Sequence, residues 1–282
     1  MNYKDTIVKS LKEFLDWLDD STIFEVSSDI GNKIEFENTS VYYRGQSDCK
    51  KKLLPGIFRE PLSPGIIEHE LIQKATLRLW RELYKYTTYL EKVVFLQHYG
   101  MPTRLLDITF NPLVALYFAC SNEEQNGAVF CGFQQDNRND FVAELTSEFI
   151  NKSHFDYFDN ELKDFVKMKN VPLKIFTQPI FVLPPINNPR IEHQSGSFIM
   201  SPIAKINNDM MYINKQSLDD SGYFSEKRAI IPNNCKSSIL IDLHKFGINK
   251  GNIYQGISEK IESIVQEEKW EIMRYKISLE EK

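Results

Sequence analysis

The chain has no cysteine pair at metal-binding spacing. Its four cysteines, Cys49, Cys120, Cys131 and Cys235, are scattered and form no Cys-x-x-Cys pair. That excludes zinc sites of the usual ligand spacing, and Cys120 and Cys131, set in apolar runs, read as buried free thiols. Long hydrophobic runs are missing too: none approaches the roughly 18 residues of a membrane span. The segment Met1 to Ser10 is polar and lacks the apolar core of a signal peptide. The expectation is a soluble, cytosolic protein with no membrane partner. Positive charge is not in excess, with 34 Lys and Arg against 39 Asp and Glu. A net charge of −5 argues against nonspecific nucleic-acid binding, although a local basic cleft remains compatible with it. No GxSxG elbow, Walker loop, strand-borne GxGxxG or HExxH is present, and no serine or cysteine has a convincing neighbouring base. No repeat, low-complexity tract or linker interrupts the chain, so residues 1–282 read as a single domain.

Aromatic residues, by contrast, are abundant. Nineteen Phe and thirteen Tyr suit a β-rich core or surfaces that stack on flat ligands. Hydrophobic spacing predicts a helix over 5–20 capped by Asp5, and a long helix from Ile66 to about Lys92. A third helix follows Asn111, a good N-cap with Pro112 in the first helical position. Val41 to Tyr43 reads as a short strand, and Pro55 to Pro64 as a loop. Strands are predicted over 128–133, 174–183, 197–200 and 238–243, with a short helix at 161–168. Surface helix is expected from Ile257 to about Glu268, and a final strand or helix over 270–277. Helices early and strands late indicate an α+β fold, a helical N-terminal half on a mainly antiparallel sheet.

The segment Gln97-His98-Tyr99-Gly100-Met101-Pro102-Thr103-Arg104-Leu105-Leu106-Asp107 concentrates polar chemistry. Its Gly and Pro mark a turn, and it runs directly into the apolar pattern Asn111 to Cys120. Polar groups packed against so apolar a helix must hydrogen-bond one another or serve a ligand. His98 is a candidate general base that Asp107 orients, or Asp107 acts itself. Thr103 and Arg104 are candidates to hold an anion beside them. Asp107 is alternatively one half of a buried pair with Arg44 or Arg104. Arg44 ends a strand before Gly45, where its planar donors suit phosphate or carboxylate and the glycine admits a close approach.

Three blocks together resemble the FRG-domain family, named for an aromatic-Arg-Gly motif. They are Tyr43-Arg44-Gly45-Gln46, the segment Gln97 to Asp107, and Asn111-Pro112-Leu113-Val114-Ala115-Leu116-Tyr117-Phe118-Ala119. Arg190 with Gln194-Ser195-Gly196-Ser197-Phe198 is similar to the family's later Arg…Gln-x-Gly-x-Phe segment, and Gly247-Ile248 to its closing segment. The resemblance is strongest over 41–120, with later strands and a closing helix over 127–282. It implies a bacterial or phage setting and a stress, toxin or antiviral defence role.

The order of these motifs is also similar to that of ADP-ribosyltransferase-like domains, although the middle block has no Ser-Thr-Ser motif. That likeness implies NAD as substrate, without a metal. Arg44 would bind pyrophosphate, Tyr99 would stack on nicotinamide, and Glu192 or Gln194 would hold the ribose, with Arg190 nearby. The leading expectation is therefore an α+β domain whose polar pocket takes a nucleotide or other phosphate-bearing ligand. NAD cleavage or ADP-ribosyl transfer to a protein or nucleic-acid acceptor is its most specific form. The alternatives are a noncatalytic ligand-sensing or protein-interaction module, in which the polar cluster is structural, and a nucleic-acid-processing enzyme using His98 and Asp107.

Overall fold

A computed structural model describes residues 3–22, 41–59, 66–133, 140–152, 158–183, 196–207, 210–213 and 217–254. Among these the elements begin with β1 (Lys4–Ile7), α1 (Leu11–Thr22), β2 (Val41–Gln46), α2 (Ile66–Arg78), α3 (Trp80–Leu83) and α4 (Tyr89–His98). Next come β3 (Leu105–Thr109), α5 (Pro112–Cys120), β4 (Gly127–Phe133), α6 (Asp140–Lys152), α7 (Phe158–Lys169) and β5 (Ile180–Val182). The last are β6 (Gly196–Met200), β7 (Ala204–Asn207), β8 (Met210–Ile213), β9 (Lys227–Ile231), α8 (Lys236–Lys245) and α9 (Lys250–Tyr254).

Seven strands form one sheet in the order β1-β9-β4-β2-β3-β6-β5, and β7 with β8 forms a separate hairpin. Only β1 and β9 run parallel; every other pair in the sheet is antiparallel. The fold is α+β with a mainly antiparallel sheet, and its strands come from both halves of the chain.

Alternation along the strands divides the core in two. Tyr42, Ala128, Phe130, Ile230, Ile108 and Ile199 point to one face, where the loop residues Leu53, Leu218, Tyr223 and Phe224 cover them. Tyr43, Val129, Cys131, Ala229 and Ile231 point to the other, beneath Phe14 and Trp17 of α1, Leu116 of α5 and Ile239 and Leu243 of α8. Further along that second face, Leu105, Phe198, Met200, Ile180 and Val182 pack with Val93 of α4, Phe149 of α6 and Phe165 of α7. The two helical layers thus meet over β2 and β3.

Helix α5 lies very close to the sheet. A Cβ on Gly45 would fall 1.8 Å from the Ala115 carbonyl oxygen, and one on Gly127 2.2 Å from that of Ala119. Both strands need glycine where the helix backbone crosses them. The start of α5 follows the prediction: Asn111 Oδ1 accepts from the Leu113 and Val114 amides at 2.9 and 3.4 Å, and Pro112 occupies the first turn. A fully buried Lys236 ties the sheet-to-helix connections together, its Nζ donating to the Ser47 carbonyl at 2.9 Å and to that of Asn122 at 2.5 Å.

Several predicted elements differ. The helix expected over 5–20 begins at Leu11, because the β-branched run Thr6 to Val8 extends β9 instead. Its cap is Ser10, whose Oγ accepts from the Glu13 amide at 3.2 Å while Glu13 accepts from the Lys9 amide at 2.8 Å. The long helix from Ile66 is three helices, because Thr88 and Glu91 form a capping box that starts α4 afresh. Leu79 and Trp80, at the junction of α2 and α3, are exposed. Residues 238–243, read as a strand, are helix α8: Ile239 and Leu243 are buried four residues apart, and a short apolar run suits either structure. Residues 173–177 form a 3-10 turn before β5, and α6 was not foreseen. The elements expected beyond Ile257 lie outside the described residues.

Candidate functional site

β2 and β3 pair at a single position, Tyr43 with Thr109. Beyond it β2 stays with β4 as far as Gln46 opposite Ala128, and β3 stays with β6 to Leu105 opposite Met200. The two strands therefore part, and a cavity of about 300 Å³ opens at the split, lined by Arg44, Gly45, Gln97, His98, Asp107 and Phe118 among others. Gln97 and His98 reach it from the last turn of α4. There the chain reverses at Gly100, whose φ of +87° is readily adopted only by glycine.

Arg44 fills the split. Its Nη1 donates to the Asp107 main-chain carbonyl, an acceptor on the strand that has parted from β2. The Asp107 carboxylate lies 3.8 Å from the same nitrogen, too far for a close hydrogen-bonded pair. Arg44 Nε is buried and has no hydrogen-bond partner among the described residues. Burial lowers the guanidinium pKa from its ordinary value, nearby Asp107 opposes the shift, and Arg59 adds to it. A desolvated guanidinium with an unused N–H beside a cavity is suited to an oxyanion.

Asp107 is the one outward position in β3, with a side chain 64% exposed against 11% for Arg44. Gln97 Nε2 donates to its Oδ1 at 3.2 Å and to the Leu105 carbonyl at 3.3 Å. Thr103 Oγ1 in turn donates to Gln97 Oε1 at 2.5 Å and accepts from the Leu105 amide at 3.1 Å. Thr103 thus orients the amide that holds Asp107, and reaches the cavity through Gln97. His98 lines the cavity, with its ring edge-on to Tyr99 at 4.9 Å. Burial pushes the Tyr43 hydroxyl up to about 12, which keeps it neutral on the cavity wall.

Arg104 is placed elsewhere. It is fully buried, donating through Nε and Nη2 to both oxygens of Glu68 and through Nη1 to the carbonyls of Ser201 and Pro202. The Phe58 ring covers it at 5.8 Å. All three nitrogens are used, so the proposed pairing of Asp107 with Arg104 gives way to Glu68, and the Asp107 pair with Arg44 is open rather than buried. Tyr99 is 71% exposed and packs on Phe95 at 4.7 Å, outside the cavity lining. Gly45 lines the cavity, yet the backbone it admits is that of α5. Arg190, Glu192 and Gln194 lie outside the described residues.

The structure brings together Arg44, Gly45, His98 and Asp107, and it adds Gln97 and Phe118, which the sequence reading did not assign to the site. Glu68 was also missed, since its only signal was an acid in a predicted helix with no partner in view. No cluster of three His, Cys, Asp or Glu side chains that could hold a metal occurs among the described residues, and no helix there is long and apolar enough to cross a membrane.

No curated protein and no solved structure matches the chain. The FRG domain family model does match, over residues 39–128. That span contains both strands of the split, the α4 end that supplies Gln97 and His98, and all of α5. The chain carries an FRG domain, and the cavity between β2 and β3 lies within it.

Proposed function

We propose that the FRG domain binds a nucleotide or other phosphate-bearing ligand at the split between β2 and β3. The observation that carries this reading is Arg44: a guanidinium withdrawn from water, loosely countered by Asp107, with a buried Nε–H that no described residue uses. Such a donor is costly to leave unmade unless a ligand completes it. The cavity of about 300 Å³ is at the lower end of small-molecule sites and accommodates a phosphate with part of its attached group.

The most specific form of the proposal is NAD hydrolysis or ADP-ribosyl transfer. The bond between nicotinamide and ribose would break, nicotinamide would leave as the neutral base, and water or an acceptor nucleophile would take the ribosyl carbon. Asp107, exposed at the cavity and held by Gln97, is placed to accept a ribose hydroxyl or face the developing positive charge. His98 is the candidate proton acceptor for the incoming nucleophile. In a bacterial or phage setting, consumption of NAD fits a toxin or defence role.

The purified protein incubated with NAD should release nicotinamide, or label an acceptor with ADP-ribose, and Arg44→Ala should abolish this with little change in melting temperature. Nucleotide binding without turnover would instead support a noncatalytic ligand-sensing module. One observation favours that second reading: Thr103, Arg104 and Gly45, three polar or glycine positions of the motif blocks, all have structural duties. Failure of the protein to bind any nucleotide or phosphate would contradict both.

A further inference from the structure

A second groove, of about 370 Å³, adjoins the Arg44 cavity and shares Gln97, Gly100 and Asp107 with it. It is also lined by Arg59, a residue the motif blocks do not include. Arg59 follows the 3-10 turn Gly56–Phe58, which is fixed to the motif segment by the Ile57 amide donating to the Thr103 carbonyl at 3.1 Å. Its Nε donates to the Leu54 carbonyl at 2.9 Å, so the stem is held, and among the described residues nothing else bonds its two terminal nitrogens. Gly56 abuts Pro102, where an added Cβ would come within 3.3 Å of the proline Cα, so the turn is pressed onto the same segment that positions Gln97 and Asp107.

Two arginines are thereby held around one carboxylate, close enough for the Arg59 charge to disfavour that of Arg44. Like charges kept together at a cavity are unfavourable in the free protein and are relieved by an anion bound between them. A single phosphate would need only one of the two lobes. Asp107 at their junction would repel a phosphate placed on it, but would accept a hydrogen bond from a hydroxyl.

Building on the phosphate-site reading above, we infer that the ligand is a diphosphate-bearing nucleotide, with one phosphate at Arg44, the other at Arg59, and a sugar hydroxyl donating to Asp107. The two lobes then form one site, and Arg59 sets the preference for diphosphate over monophosphate.

Calorimetric titration of the whole chain with ADP and with AMP tests this, on wild type and on Arg59→Ala. The wild type should bind ADP tighter than AMP by about tenfold or more, as expected for one added charge-assisted contact. Arg59→Ala should abolish this preference and bring ADP down to about the level of AMP. Arg59 is exposed, so the variant should fold, and its melting curve should overlay that of the wild type. An unaltered ADP-to-AMP ratio in Arg59→Ala would overturn this inference while leaving the phosphate site standing. A wild type that binds neither nucleotide would overturn the site itself.

Discussion

Arg44 and Arg104 come from the two polar motif blocks of the FRG domain, and both are withdrawn from solvent, yet their surroundings differ in kind. Around Arg104 every donor nitrogen has an acceptor, the counter-charge of Glu68 is in direct contact, and Phe58 closes the remaining side. Around Arg44 one nitrogen serves a main-chain carbonyl, the Asp107 carboxylate stands at 3.8 Å, and Nε has no partner among the described residues. A completed network holds the fold and leaves nothing for a ligand. An incomplete one beside a cavity is where a ligand can gain binding energy. Motif membership alone would have assigned both arginines the same role.

The sharpest way to break this comparison is Arg104→Ala. Removing it leaves Glu68 charged and unpaired in the core, which should cost about 3–5 kcal/mol of stability in a denaturant titration. A loss below about 1 kcal/mol would mean that the pair is not the fold element described. Gly45→Ala should come next, because its Cβ would meet the α5 backbone at 1.8 Å. Overpacking there should cost about 1–3 kcal/mol, read from the same titration, and should disturb the cavity wall.

Arg44→Ala is expected to do the reverse. It gives up one hydrogen bond to the Asp107 carbonyl but relieves a desolvated charge, so stability should move by no more than about 1 kcal/mol while nucleotide binding is lost. The smallest effect sharpens the comparison from outside. Thr88→Ala removes the cap of α4, should cost about 1 kcal/mol, and should leave ligand affinity intact because neither arginine is touched. It also has a pH signature. Burial alone would raise the Glu91 pKa, but hydrogen bonds from Thr88 and Thr87 outweigh it and hold the pKa below the usual value. A carboxylate with a depressed folded pKa contributes stability above its unfolded pKa and loses it as pH falls through the folded one. The melting-temperature gap between wild type and Thr88→Ala should therefore be widest at neutral pH and narrow in acid.

The α5 cap at Asn111-Pro112, the β2 strand and the α+β class were legible because local rules and tertiary contacts agree there. The N-terminal strand was not, since its partner β9 lies more than two hundred residues away and the same apolar residues also satisfy a helical period. The α8 segment failed for the related reason that six residues cannot distinguish the two periods. In the site, Arg44, His98 and Asp107 were singled out by type and density, and all three line one cavity. What the sequence could not show was which arginine is satisfied. That depends on Glu68, thirty-six residues from Arg104 and brought to it only by the packing of α2. The contribution of Arg59 was hidden likewise, because a turn outside the motif presents it.

The most direct measurement of the central claim is the side-chain ¹H–¹⁵N signal of Arg44 Nε, assigned by its loss in Arg44→Lys and followed while ADP is added. The account predicts a saturable shift of this signal, with the corresponding signal of Arg104 unmoved. An Arg44 Nε signal that stays in place as ADP binds elsewhere would contradict it.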